Sequence, residues 1–148
     1  MNITIEEIDS ASMRLIGYTP QPSFVVHFRS AAFSGIARLV PALERAEDCL
    51  GMEFGVEITQ GSVTQFGVLD QAAMNAVEAL DTPGSFKVTG MLESQSAHSD
   101  PSAQRHAFIM AGEACFCLSE EEMGGLWPEP GGTVAFVAHD VTLWDEAL

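Results

Sequence analysis

Residues 34–51 read SGIARLVPALERAEDCLG, and the fold class turns on whether this stretch is a helix. Ile36, Leu39, Val40, Leu43 and Leu50 follow the three-four spacing of one apolar helical face. Ser34 stands where an N-cap would stand, and Gly51 where a helix would stop. Pro41 falls inside the span. An interior proline loses a hydrogen bond and clashes with the preceding turn, so the helix must kink or restart there. The spacing predicts a helix with one interruption.

On either side the pattern is that of strands. Phe24, Val25, Val26, His27 and Phe28 are β-branched and aromatic, which suits a strand. Met52, Phe54, Val56 and Ile58 alternate with Glu53, Gly55, Glu57 and Thr59, giving one buried and one wet face. Gln60, Gly61 and Ser62 read as a hairpin turn, with residues 63–69 returning as its second strand. Asp70 reads as the cap of a short helix carrying Ala73, Met74, Val77 and Leu80, which Asp81, Thr82, Pro83 and Gly84 end. Residues 86–92 form another strand, with Phe86, Val88 and Leu92 inward.

Residues 24–92 therefore read β-α-β-β-α-β, the order of the ferredoxin-like split βαβ arrangement. Many unrelated activities share that order, so it names no function. Residues 1–20 fit either a strand or a short helix, and the polar run 93–105 reads as a long loop. Residues 106–111 and 113–118 look like paired strands around Gly112. Residues 133–143 look like a last strand bent at His139 and Asp140. The expected class is α+β: one domain over residues 1–148, mainly antiparallel sheet with two helices and a β-rich C-terminal extension.

Charge narrows the partners. Residues 1–45 hold four acids (Glu6, Glu7, Asp9, Glu44) and four bases (Arg14, Arg29, Arg38, Arg45). The rest of the chain sets seventeen acids against Lys87 and Arg105, which is the whole net charge of −15. The imbalance comes from scarce bases more than from abundant acids. Such a field argues against binding nucleic acid, which rests on Lys and Arg, and against an anionic membrane surface. The start MNITIEEIDS has neither a basic n-region nor an apolar core, and no apolar run approaches the roughly 18 residues of a membrane span. Three cysteines are too few for a disulfide framework, so a reducing cytoplasm is the expected setting.

No stretch carries a catalytic signature. Cys115 and Cys117 would share one strand face roughly 6.5–7 Å apart, enough to give two zinc ligands but without a second pair; buried thiols are the plainer expectation. His98 and His106, with Asp100 and several serines near, offer a base but no strained nucleophile turn. His27 and His139 fit hydrogen-bonded structural positions. Glu120, Glu121 and Glu122 follow Ser119 as a capping box would, and could also dock a partner. Trp127, held between Leu126 and Pro128 with Glu129 beside it, suits an interface anchor or a lid on the sheet. Trp144 could likewise close the core or extend the acidic surface.

The function expected from these features is non-catalytic binding of a basic protein, in the manner of an immunity or antitoxin-type inhibitor of a toxin such as a nuclease. The expected contact residues are Glu53, Glu57, Glu120, Glu121, Glu122, Trp127 and Glu129. No cofactor or metal enters this reading, and a homo-oligomer is compatible with it. The rival class is a small enzyme or a small-molecule or metal binder using His98 and His106 or Cys115 and Cys117. A structural subunit of a larger assembly is the third class.

Overall fold

The deciding stretch is extended, not helical. The structure, a computed structural model, describes residues 1–43, 45–70, 73–95 and 105–148. Its first part runs β1 (Asn2–Ile16), β2 (Gln21–Ser30), β3 (Ser34–Val40), a single 3-10 turn (Ala46–Cys49) and β4 (Glu53–Thr59). Then come β5 (Ser62–Leu69), β6 (Ala76–Ala79), β7 (Phe86–Gln95), β8 (His106–Ala111) and β9 (Ala114–Ser119). The chain ends with β10 (Thr133–His139) and β11 (Thr142–Asp145). Among the described residues the 3-10 turn is the only helical element, so the α+β class, its two helices and the ferredoxin-like order are all overturned.

The first expected helix fails for a physical reason. In β3 the residues Ala37 and Leu39 point inward and Arg38 points outward, a period of two that the three-four spacing concealed. Val40 is also fully buried, so apolar residues sit on both faces and imitate a helical stripe. Pro41 disfavours the α-region for Val40 and removes a donor, which suits a strand end. Pairing to β2 (Phe24 opposite Leu39) and, in parallel, to β11 (Leu143 opposite Leu39) decides the outcome. The second expected helix is replaced by β6, which pairs with β7 from Ala76 opposite Thr89 to Ala79 opposite Phe86. Residues 71 and 72 of that expectation lie outside the described residues.

Strands β1, β2, β3, β11 and β4 close into a barrel. Its interior holds Ile3, Ile5, Phe24, Val26, Phe28, Leu39, Phe54, Val56, Ile58 and Leu143, all buried. The second sheet runs β5-β10-β7-β8-β9, with β6 beside β7. This whole sheet is inserted in the chain between β4 and β11. The expected hairpin at residues 60–62 is therefore a crossing: β4 pairs within the barrel, and β5 pairs with β10 in the second sheet. The return crossing lies beside it, where Gly61 N–H donates to the His139 carbonyl at 2.9 Å. The strand expected at residues 133–143 divides there, because Asp140 takes a left-handed φ of 52°.

One hydrophobic cluster runs through both sheets. Phe28, Phe33 and Phe86 meet edge to face or tilted, with centroids 5.5–6.2 Å apart, where the barrel end meets the second sheet. No helix among the described residues is long and apolar enough to cross a membrane.

Candidate functional site

Strand β9 is an edge of the second sheet, and it lies against β4 of the barrel. Gln60 ties the two: its Nε2 donates to the Cys117 carbonyl at 2.8 Å and to Glu122 Oε1 at 3.1 Å. This covers part of an otherwise open strand edge. Alternation in β9 sends Ala114, Phe116 and Leu118 into the core and turns Cys115 and Cys117 outward. The expectation of buried thiols is thus corrected for this pair. Phe116 takes the inward register because burying a phenyl ring is worth more than burying a thiol. Cys49 is the cysteine that is buried.

Outward from β4 and β9 opens a cleft of about 330 Å³, lined by Glu57, Phe108, Glu113, Cys115, Cys117 and Glu146, with Met1, Val56 and Ile58 completing it. Its floor is apolar and its rim carries three carboxylates. The Met1 amino group donates to the Val56 carbonyl at 3.1 Å and lies 3.8 Å from Glu146. No Lys or Arg side chain lines the cleft among the described residues. A neighbouring hollow continues the seam past Glu113 to Glu53, with Arg29 on its far side already paired to Glu6 at 2.8 Å. At the opposite end stands Glu122.

The expected contact residues therefore divide. Glu53 and Glu57 lie on the exposed face of β4 along this seam. Glu122 is committed internally: its Oε2 accepts from Ser119 N at 2.8 Å and Ser119 Oγ at 2.9 Å, and Ser119 Oγ accepts from Glu122 N at 3.3 Å. That is the capping-box pattern, here on one turn closed by Gly124 and Gly125 in left-handed conformations. Glu121 and Glu129 are exposed and Glu120 half-buried, on the loop between β9 and β10. Trp127 packs on the core beneath Arg105, whose guanidinium sits 4.0 Å over the ring, so the indole is covered. Trp144 lies outside the barrel, half-buried, its Nε1 donating to Thr59 Oγ1 at 2.9 Å.

Glu113 and Glu146 belong to the cleft and no sequence signal singled them out. Each is one acid in a turn or near the terminus; the pairing of β11 with β4 brings Glu146 to Glu57, and the contact of β4 with β9 brings Glu113. The surroundings of both thiols favour the protonated form. Burial first, then the neighbouring Cys117 and Glu93, push Cys115 above its ordinary value. Burial and Glu122 do the same to Cys117. The Met1 amino group acts on Cys115 in the opposite direction but is outweighed. His139 is held by Thr64 and Ser85 at 2.8 and 3.1 Å, and His27 lies 3.8 Å from Glu7. His98, Asp100 and Ser102 lie outside the described residues, and among those described no three His, Cys, Asp or Glu side chains group to hold a metal ion.

Comparison with protein families, characterised proteins and solved structures finds no match.

Proposed function

We propose that the protein is a non-catalytic acidic binding protein that engages a basic protein and inhibits it by occupying its cationic site. The observation that carries this reading is the β4–β9 cleft, where Glu57, Glu113 and Glu146 stand around the half-buried Phe108 ring. A Lys or Arg side chain has the matching form, an aliphatic stem with a charged head. The stem would lie on Phe108 and the head would reach the carboxylates through charge-assisted hydrogen bonds. The thiols add no charge, and with the Met1 amino group beside Glu146 the head group would turn chiefly to Glu57 and Glu113. The remaining negative charge of the molecule would speed the encounter and leave the cleft contacts to govern release.

The test is titration calorimetry with an arginine-rich decapeptide at low and physiological salt. Glu57→Gln with Glu113→Gln should weaken binding at least tenfold, about 1.4 kcal/mol. The charge-matched control Asp9→Asn with Glu78→Gln should change it less than twofold. Equal losses in the two pairs would mean that the peptide reads net charge alone, and the cleft reading would fail.

A further inference from the structure

Neutrality of the first 45 residues in sequence is not neutrality in space. Arg29 is paired with Glu6, and Arg45 with Glu47 and Asp48. Arg14 and Arg38 are left facing one cleft, and no carboxylate of the described residues pairs with either guanidinium. This cleft is separate from the acidic one. It has a volume of about 170 Å³ and lies on the outer face of the barrel, walled by Val25 and Thr142 and closed by Gly84 and Asp140 at the sheet crossing.

We infer that this cleft binds a phosphate-sized dianion between Arg14 and Arg38. Arg38 is held in place: its Nη1 donates to the Ser12 carbonyl at 3.2 Å, the Ser23 carbonyl at 3.2 Å and Ser23 Oγ at 3.1 Å. That leaves Nε and Nη2 without a hydrogen bond to the described residues, a fixed fork of the kind that recognises tetrahedral oxyanions. Arg14 supplies a second charge from β1, across β2 from Arg38, so two cations match a dianion. Burial first, and then the charge of Arg14, lower the Arg38 pKa, the direction that two guanidinium groups held near one another produce. Asp140 does not fill that role, since its carboxylate is turned toward Gly61, its Oδ2 3.3 Å from where a Cβ on that residue would stand. Distant acids are screened within about 8 Å at physiological salt, so the local pair governs the site.

Arginine Nε–Hε spectra recorded while inorganic phosphate is added, with acetate at equal ionic strength as the comparison, test the site. Signals of Arg14 and Arg38 should shift saturably with phosphate and at least tenfold more weakly with acetate. Arg14→Gln, which removes no described hydrogen bond, should lower phosphate affinity at least tenfold while leaving the amide spectrum intact. Arg38→Lys should do the same, because it keeps the charge and loses the fork. Unsaturable shifts, equal response to acetate, or an Arg14→Gln variant that binds as well as the parent would each overturn the inference. Should Arg38→Lys fail to fold, Arg14→Gln alone decides.

Discussion

Gly35 shows at the scale of one residue how the two sheets fit. A Cβ there would stand 2.6 Å from Phe86 Cε1 and 3.2 Å from the Ala79 Cβ. Its absence lets the aromatic ring close the barrel end. Gly35→Ala should cost about 1–3 kcal/mol by overpacking, read from the urea midpoint. Gly67, in β5 with open space around its own Cβ position, is the control, and its alanine variant should stay within about 0.5 kcal/mol of the parent. Cys49 gives a second test. Burial, with Asp48 and Asp145 adding to it, raises its thiol from 9.0 to about 11. The folded state therefore favours the protonated thiol. That contribution is complete below pH 9.0 and is lost as pH rises toward about 11. Denaturant midpoints should fall across that window in the parent and fall less in Cys49→Ala. Iodoacetamide at pH 8 should label Cys115 and Cys117 well before Cys49.

At the scale of elements, clean alternation made a strand legible, and apolar residues at helical spacing concealed one. The alternation of Phe54, Val56 and Ile58 with Glu53, Gly55 and Glu57 gave β4 away, and β7, β8 and β9 were visible within a few residues of their bounds. In β3 the barrel interior and the outer packing both take apolar residues, so Ile36, Leu39, Val40 and Leu43 fall by coincidence at helical spacing. Pro41 is the residue in the stretch that opposes a helix, since it disfavours the α-region for Val40. Strand pairing is non-local, so nothing near residues 60–62 indicates that β4 and β5 belong to different sheets. The chain leaving β3 is held by Asp145, whose Oδ2 accepts from the Ala42 N–H and whose Oδ1 accepts from the Ala147 N–H, both at 3.0 Å. Asp145→Ala leaves both donors without that partner. It should lower stability by about 1–3 kcal/mol and speed amide exchange at Ala42. An unchanged exchange rate would show that β11 does not anchor this segment.

For the whole molecule, the lopsided charge resolves into two clefts of opposite character. The carboxylates of β4 and the β9 side converge on one seam. Two arginines from the neutral part of the sequence converge on another. Composition disclosed the excess of acids and the weakness of any nucleic-acid reading. It could not disclose that Glu146 joins Glu57 through the pairing of β11 with β4, or that Glu113 joins them because an inserted sheet lays its edge against the barrel. Amide shift mapping by solution NMR with the arginine-rich decapeptide tests the central claim most directly. Perturbations should concentrate at Val56, Glu57, Ile58, Phe108, Glu113, Cys115 and Cys117, and vanish in Glu57→Gln with Glu113→Gln. Shifts centred on Glu121 and Glu129, or spread evenly over every exposed acid, would contradict it.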